Sequence, residues 1–237
     1  MDIDKNISLV ITTYNRFDTF LKDNLIKYLQ NPYITEIVIY DDFSYDYDKV
    51  LLHFKEYINS GKISLYQQET NKGPLINKII ASNIAKYNWI CLMDSDNFCD
   101  IDYFDALFKC WETKGQNDNI IYCPTFAKPT FNYESMNDNI IDKLNWNQME
   151  SEQGAFLNTG NYVFNKNLNK HICFFITNPI QNGIPEVKIV NRIFVINNVS
   201  LYGVPNMHYE HIVHDDSYWK QNQHTMIHFN GSYNWSI

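Results

Sequence analysis

The chain has 237 residues, of which 45% are hydrophobic and 16% aromatic, so it is long enough to bury a sizeable core and its composition argues against general disorder. A formal net charge of −8 disfavours non-specific binding to nucleic acid, and no nucleic-acid partner is expected. The five cysteines have no C-x-x-C spacing, which argues against a zinc site or a disulfide framework.

The first hundred residues alternate between predicted strands and helices, an order typical of a parallel sheet covered by helices. Apolar and β-branched runs predict the strands, and apolar residues at helical spacing predict the helices between them. The strands are predicted at residues 8–12, 36–40, 63–67 and 89–93, and the helices at about 18–30, 50–61 and 76–84.

The second half has a less regular pattern. Residues 128–148 are polar and rich in asparagine, so we predict a long loop there, and Thr159-Gly160 interrupts a strand predicted at 155–164. The other elements predicted here are a helix around 104–111, a strand at 120–123, a short helix at 185–194 and late strands at 199–204 and 225–229. No linker divides the chain, which indicates a single domain over residues 1–237.

No targeting or membrane segment is predicted. The N-terminus lacks a basic stretch followed by an apolar core, so it does not match a signal peptide. No apolar run reaches the roughly 18–20 residues that a membrane span needs. We therefore expect a cytoplasmic protein without a membrane span.

Polar residues follow three of the four early strands. Ligands of open α/β sheets bind beyond the carboxyl ends of the strands. Carboxylates that gather along this edge repel one another unless a cation, a ribose hydroxyl or a base N–H relieves the repulsion. The segments at these strand ends are TTYNR at 12–16, DDFS at 41–44 and DSDN at 94–97.

Asp94 and Asp96 stand one residue apart directly after an apolar strand. Two such carboxylates can hold one divalent ion when the chain turns sharply between them, and the ion then neutralises a diphosphate leaving group. For an isolated pair of this kind, the alternative is an Asx-rich turn that caps the next helix. A calcium loop is disfavoured because Phe98 and Cys99 occupy positions where that loop needs an oxygen ligand and a glycine.

Four segments carry a more specific pattern. They are, in chain order, ISLVITTYNR, EIVIYDDFS, ETNKGPLINKIIAS and YNWICLMDSDNF, and they span roughly residues 7–100. Together they resemble the inverting, GT-A-type glycosyltransferases of family 2. The resemblance implies an α/β fold of the GT-A type, a Rossmann-like sandwich with a central, mostly parallel sheet flanked by helices. It implies a nucleotide-sugar-binding half at about 1–100 and an acceptor-binding half at about 101–237.

The resemblance also implies a reaction and a set of ligands. The chain would move a sugar from a nucleotide-diphosphate sugar, with a UDP-sugar favoured, to a hydroxyl on a glycan, lipid carrier or protein. The cofactor would be Mn²⁺ or Mg²⁺, held by Asp94 and Asp96, with Asp96 as the more direct ligand. The residues assigned by resemblance to the nucleotide-sugar are Thr12, Tyr14 and Arg16 at the base, Asp42 or its neighbour Asp41 at the base or ribose, and Gly73, Lys78, Asp94 and Ser95.

An inverting transferase needs a base that takes the proton of the acceptor hydroxyl. In the family this base is usually an aspartate in an Asp-x-x-Leu-x-x-Arg segment, and Glu186 begins a segment with that spacing, EVKIVNR. A glutamate that only stabilises a helix N-terminus is the alternative for Glu186. Glu152 and Asp142 are the other candidates for the base.

Three histidines near the C-terminus stand within seven residues: His208, His211 and His214. Family members often place a histidine here to complete the metal shell or to contact the diphosphate. Imidazole is an acceptable ligand for manganese, and His211 is our first choice.

The sequence departs from the family pattern in two places, and two other functions stay open. The segment from Gly73 lacks the commoner Gly-x-x-x-Ala-Arg-Asn pattern, and Asn161 replaces the second glycine of a Thr-Gly-Gly-type strand. A nucleotidyltransferase that makes nucleotide-sugars is disfavoured because no glycine-rich loop follows the first strand. A non-catalytic module that binds a nucleotide or carbohydrate is separated from an enzyme only by turnover.

Overall fold

The computed structural model describes residues 3–178 and 186–212 and contains one nine-stranded mixed sheet with helices on both faces. The strands are β1 (Ile7–Thr13), β2 (Ile34–Asp41), β3 (Ile63–Gln67), β4 (Trp89–Asp94), β5 (Ile120–Lys128), β6 (Phe131–Asn132), β7 (Ile140–Ile141), β8 (Val163–Asn165) and β9 (Ser200–Glu210).

The α-helices pack against these strands. They are α1 (Lys22–Leu29), α2 (Tyr47–His53), α3 (Lys55–Asn59), α4 (Pro74–Ile84), α5 (Ile101–Lys114), α6 (Trp146–Glu152) and α7 (Glu186–Ile196). Local chemistry sets two of their ends. Helix α4 begins with Pro74 after Gly73, whose φ of 86° suits glycine, and the Asp100 side chain accepts a hydrogen bond from the backbone N–H of Tyr103 at the start of α5.

The sheet order is β3-β2-β1-β4-β8-β5-β9-β7, and β6 pairs with β5. The four early strands are parallel to one another, and β5 is parallel to β9. Strand β8 is antiparallel to both β4 and β5 and so joins the two parallel groups. The predicted α/β class, with a central and largely parallel sheet, is confirmed.

Both faces of β1 are buried, as expected for a central strand between two helical layers. Leu9 and Ile11 belong to a core that includes residues of α1 and α5, while Val10 belongs to a second core that includes residues of α4 and α7. Successive side chains of a strand point to opposite faces, so one apolar run supplies both cores.

The structure corrects several predicted boundaries. Residues 128–148 are not one long loop, because they contain β6, a 3₁₀ turn at Glu134–Met136, β7 and the start of α6. Strands of two residues produce no periodicity in the sequence, and pairing with the long strands β5 and β9 is what orders them. The segment predicted as a strand at 155–164 holds a 3₁₀ turn at Phe156–Asn158, and only Val163–Asn165 is a strand at its end.

The helices near 18–30 and 50–61 each form in two pieces. The first is a π-helical turn at Phe17–Leu21 followed by α1, and the second is α2 followed by α3. The strand predicted at 225–229 and the first residue of the helix predicted at 185–194 lie outside the described residues. Within the described parts of the chain, no helix combines the length and apolarity that crossing a membrane requires.

Candidate functional site at the carboxyl edge of the sheet

The register of the early strands aligns their carboxyl ends. Thr12 of β1 lies opposite Asp94 of β4 on one side and Tyr40 of β2 on the other, and Thr13 lies opposite Asp41. The three polar segments that follow these strands therefore start at the same level of the sheet. This edge is where an open α/β sheet binds ligands.

Asp42 is buried and its carboxylate binds the loop before α4. One carboxylate oxygen accepts the backbone N–H of Lys72 at 2.7 Å, and the other accepts that of Gly73 at 2.9 Å. The backbone N–H of Asp42 in turn donates to the carbonyl of Thr13. The ends of β1 and β2 and the start of α4 are therefore tied together through Asp42.

Asp41 is almost fully buried on the other face of the sheet. Its Oδ1 accepts the backbone N–H of Ser44 at 2.7 Å and the Gln67 side-chain amide at 3.1 Å. Its Oδ2 and the Thr13 hydroxyl are buried without a hydrogen-bond partner among the described residues. Burial raises the pKa of Asp41, and the hydrogen bonds from Ser44 and Gln67 oppose that rise.

The loops after β1 and β2 are joined by Asn15. Its backbone N–H donates to the Ser44 hydroxyl at 2.7 Å, and its side-chain oxygen accepts the backbone N–H of Tyr45 at 3.1 Å. Tyr14, which precedes Asn15, is 48% exposed. The Arg16 guanidinium, after it, lies 5.9 Å from the centre of the Phe20 ring. The loops thus present Tyr14 to solvent on a fixed backbone.

The Asp94–Asn97 segment forms a tight turn, with the Asn97 backbone N–H bound to the Asp94 carbonyl at 3.0 Å. Two asparagine side chains hold this turn. The Asn161 side-chain oxygen accepts the backbone N–H of Asp94 at 2.9 Å, and the Asn24 amide donates to the carbonyls of Ser95 and Asn97. Ser95 is buried within the turn. The sharp turn that a shared ion requires is therefore present between Asp94 and Asp96.

Lys78 projects from α4 to this turn. Its Nζ lies 2.6 Å from Asp94 Oδ1, and only 15% of the lysine side chain is exposed. Burial lowers the pKa of Lys78, but Asp94, Glu186 and Asp96 raise it and determine the net upward shift. Burial raises the pKa of Asp94, and Lys78 outweighs this so that the net shift is downward. Both groups are therefore charged near neutral pH.

Glu186 is the first residue of α7, and its pKa is raised by burial and lowered by Lys78. Two contacts set the position of this helix. A Cβ at Gly160 would lie 3.3 Å from the methyl groups of Val187, so glycine allows the close approach. The buried Asn191 amide donates to the carbonyls of Leu157 and Thr159 at 2.8 and 3.0 Å. These contacts fix the start of α7, where the charge of Glu186 raises the pKa of Lys78.

His211 follows β9 and stands beside the carboxylates. Burial lowers the pKa of His211, while Asp94 and Asp96 raise it. Its Nδ1 lies 3.5 Å from the Tyr209 hydroxyl. His208 has different surroundings, with its ring 5.5 Å from that of Phe126, and His214 lies outside the described residues.

The other two carboxylates considered for the base lie in the second half of the chain. Glu152 accepts a hydrogen bond from Gln148 on the exposed side of α6, and Asp142 accepts the backbone N–H of Leu144 in a turn. Neither contributes to the pKa of Lys78 or Asp94, whereas Glu186 contributes to that of Lys78.

The oxygen donors suit a hard divalent cation. Residues 3–178 and 186–212 contain no cluster of three or more histidine, cysteine or acidic side chains in metal-binding positions. Magnesium-type sites commonly use one or two carboxylates together with substrate phosphates and water. The Asp94 and Asp96 carboxylates, with the His211 imidazole nearby, fit a site of that kind, which a diphosphate would complete.

Sequence reasoning missed two residues that organise the site. Asn161 was noted only as a departure from a Thr-Gly-Gly pattern, yet its oxygen binds the backbone of the Asp94 turn. Asn191 lies within the EVKIVNR segment, and its amide fastens α7 to the preceding loop. The departure from the pattern is a weak signal for Asn161, and no signal in the sequence indicates Asn191, because a buried amide is recognised only by its partners.

Comparisons with known proteins indicate the family of the chain. The model of the family described as glycosyl transferase family 2 matches residues 8–177. An uncharacterized glycosyltransferase of Mycoplasma genitalium, MG060, is 28% identical over 120 residues, which cover 49% of this chain and 40% of that protein. The chain thus spans less than half the length of this curated relative.

Solved structures show the same fold at low identity. Residues 1–349 of TarS from S. aureus superpose with a TM-score of 0.66 at 17% identity, over 86% of this chain and 59% of that one. The mannosyltransferase PcManGT of Pyrobaculum calidifontis, solved with GDP-Man and Mn²⁺, gives 0.62 at 12% identity, over 90% and 58%. GalNAc-T7, solved with UDP, GalNAc and Mn²⁺, gives 0.59 at 15% identity, over 88% and 43%. The expected GT-A fold is therefore confirmed, and because the family model covers most of its length, the chain belongs to glycosyl transferase family 2.

Proposed function

We propose that this chain transfers a sugar, with inversion, from a nucleotide-diphosphate sugar to a hydroxyl acceptor on a glycan, a lipid carrier or a protein. The observation that carries the proposal is the convergence of Lys78, Asp94, Asp96, Glu186 and His211 at the carboxyl edge of the sheet. A surface salt bridge stabilises a protein only slightly, so stability alone does not explain this group of charges. It suits a ligand that carries both a diphosphate and a reacting carbon.

In this proposal, the nucleotide binds at the ends of β1 and β2. The exposed ring of Tyr14 stacks on the base, and Thr12 and Arg16 line the same side. Asp42 or Asp41 accepts a hydrogen bond from the base or ribose, and Asp41 Oδ2 is an acceptor that lacks a partner among the described residues. Gly73 and Ser95 bring backbone close to the diphosphate and sugar. A UDP-sugar is the favoured donor, supported by the UDP-GlcNAc complex of the structural neighbour TarS.

The reaction is proposed at the Asp94 turn. Glu186 accepts the proton of the acceptor hydroxyl as that oxygen attacks the anomeric carbon, and the bond from this carbon to the diphosphate oxygen breaks. Burial raises the pKa of Glu186, which makes its carboxylate a stronger base than an exposed glutamate. A bound Mn²⁺ or Mg²⁺ would neutralise charge on the leaving diphosphate. Asp96 would hold the ion most directly, together with Asp94 and His211.

The test is the metal dependence of nucleotide binding. We expect UDP with Mn²⁺ to stabilise the wild-type protein by about 3 kcal/mol at a hundredfold excess over the dissociation constant. Without metal the stabilisation is expected to be much smaller. Asp96→Asn should remove the metal-dependent part and leave the melting temperature of the free protein unchanged. Thermal shift and calorimetry with UDP, in Mn²⁺ or chelator, give the comparison.

The matched control is Asp48→Asn, which removes the same charge at an exposed position of α2. It should behave as the wild type. Equal UDP affinity in chelator and in Mn²⁺ would exclude the metal role. A wild-type protein that neither transfers nor hydrolyses any sugar across a broad panel of nucleotide-sugars would favour a non-catalytic binding module instead.

A further inference from the structure

One positive group lies among the carboxylates of the site. Lys78 stands in the middle of α4, and the hydroxyl of Ser82 one turn later donates to its carbonyl. Its side chain is 15% exposed, and its Nζ is 2.6 Å from Asp94 Oδ1. A lysine as buried as this one needs a charged partner, and Asp94 is that partner.

The ammonium acts on more than one acidic group. Glu186 and Asp96, together with Asp94, raise the pKa of Lys78. Lys78 therefore supplies the positive charge that offsets the mutual repulsion of these carboxylates in the protein without ligands. Asp94 and Asp96 also raise the pKa of the His211 imidazole, which burial lowers.

This ion pair has a consequence for cation binding. A divalent ion shared by Asp94 and Asp96 would stand within a few ångströms of the Lys78 ammonium. Two positive charges at that distance repel strongly where water is scarce. Lys78 and a divalent cation therefore compete for the same carboxylate oxygens.

We propose that Lys78 is the resting counter-ion of Asp94 and makes binding of a divalent cation conditional on the anionic donor. This inference rests on the proposed function, because the donor diphosphate supplies the negative charge that releases the lysine. Lys78 leaves Asp94 for a diphosphate oxygen when the donor binds. The four-carbon stem of lysine allows such a movement without displacement of α4. Cation and nucleotide then strengthen each other's binding beyond the effect of direct ligation.

The experiment measures Mn²⁺ affinity in the absence of nucleotide, by calorimetry or by the paramagnetic resonance signal of free Mn²⁺. Lys78→Met removes the ammonium and keeps an unbranched side chain. We expect it to bind Mn²⁺ at least about fivefold more tightly than the wild type. The factor by which UDP tightens Mn²⁺ binding should fall by a similar amount. Lys78→Gln is a second neutral variant, to be used if Lys78→Met does not fold.

Two controls keep the result specific. Lys86→Met removes the same charge at an exposed position just after α4, where the ammonium lies 5.3 Å from the Tyr87 ring, and should change Mn²⁺ affinity less than about twofold. Lys78→Arg keeps the charge and should retain the weak Mn²⁺ binding of the wild type. Unchanged nucleotide-free Mn²⁺ affinity in the neutral Lys78 variants, or no detectable binding in any variant, overturns the inference. UDP binding that ignores Mn²⁺ in the wild type contradicts the proposed function instead.

Discussion

The proposed nucleotide end of the sheet edge, after β1 and β2, and the proposed reaction end, after β4, hold their carboxylates by different means. At the ends of β1 and β2, Asp42 accepts two backbone N–H groups and Asp41 accepts one from Ser44. At the end of β4, Asp94 is paired with the side chain of Lys78. Backbone donors move only when their loop moves, whereas an ammonium on a flexible stem can change partners.

This difference supports the separate tasks that we propose for the two ends. A set of hydrogen bonds from the backbone is organised before any ligand arrives, which suits recognition of a rigid base. A side-chain ion pair can exchange for ligand charge, which suits a place where diphosphate and cation enter and leave. Changes at the reaction end should therefore affect turnover and metal binding, and changes at the nucleotide end should affect stability and base selectivity.

The largest effect is expected from Glu186→Gln at the reaction end. A general base contributes about 10²–10⁴-fold in rate, so transfer, or slow hydrolysis of the donor, should fall by at least about 100-fold. UDP and Mn²⁺ affinities should stay unchanged because the proposed role of Glu186 concerns only the acceptor proton. Steady-state rates together with calorimetry measure both quantities.

The matched control for that variant is Glu152→Gln, on the exposed side of α6, which should retain the wild-type rate. Full turnover in Glu186→Gln would move the base to Glu152 or Asp142. A loss of donor affinity equal to the loss of rate would make Glu186 a binding residue.

A smaller effect is expected from Asp42→Ala at the nucleotide end. The change leaves the backbone N–H groups of Lys72 and Gly73 without their acceptor, and the free energy of unfolding should fall by about 2 kcal/mol. UDP should lose more affinity than pyrophosphate, because the base contacts are the ones disturbed. Asp42→Asn keeps one acceptor oxygen and should lose less on both measures. Equal losses for UDP and pyrophosphate would place Asp42 near the phosphates.

The smallest effect is expected from Asp41→Asn. Burial raises the pKa of Asp41, so in the pH range between its unfolded and folded pKa values the folded protein holds a proton that the unfolded chain has released. Stability therefore falls as pH rises through that range, and an amide, which does not titrate, avoids the loss. We expect the variant to be more stable than the wild type at pH 7 by about 1 kcal/mol, because the amide carries no charge for burial to disfavour.

Denaturant unfolding at several pH values tests this expectation. The gain should shrink towards zero below the pKa of an ordinary aspartate, where both states of the wild type are protonated. A gain that is the same at every pH would show that packing, and not charge, is responsible. A loss of UDP affinity in the same variant would mean that the Asp41 carboxylate accepts a hydrogen bond from the ligand, at a cost in stability.

The sequence predicts the strands of the first half more accurately than those of the second half. The sequence predicts β1 and β4 to within a residue at each end, because buried parallel strands are short runs of β-branched and apolar residues. The bounds of the edge strand β3 are also predicted, although only Ile63 of that strand is buried. In the second half, β6, β7 and β8 have two or three residues each, which is too short for any period to appear. Their positions follow from pairing with β4, β5 and β9.

The sequence indicates candidate site residues but not their contacts. Motif order indicates Asp94 and Asp96, and the spacing of a later segment indicates Glu186; in the structure the charges of all three raise the pKa of Lys78. The pairing of Lys78 with Asp94 depends on how α4 lies across the sheet, 16 positions away along the chain, and no local pattern encodes it. The roles of these residues stay predictions until the variants are measured.

The side chain of Asn161 has one more consequence. Its oxygen accepts the backbone N–H of Asp94 at 2.9 Å, its amide donates to the Tyr209 hydroxyl at 3.4 Å, and that hydroxyl stands 3.5 Å from His211 Nδ1. The turn after β4 and the end of β9 are therefore linked through Asn161, and also through the backbone hydrogen bonds between Phe98 and Glu210 and the bond from the Ile212 N–H to the Asn97 side chain. A displacement of β9 by an arriving acceptor is therefore expected to shift the Asp94 turn as well.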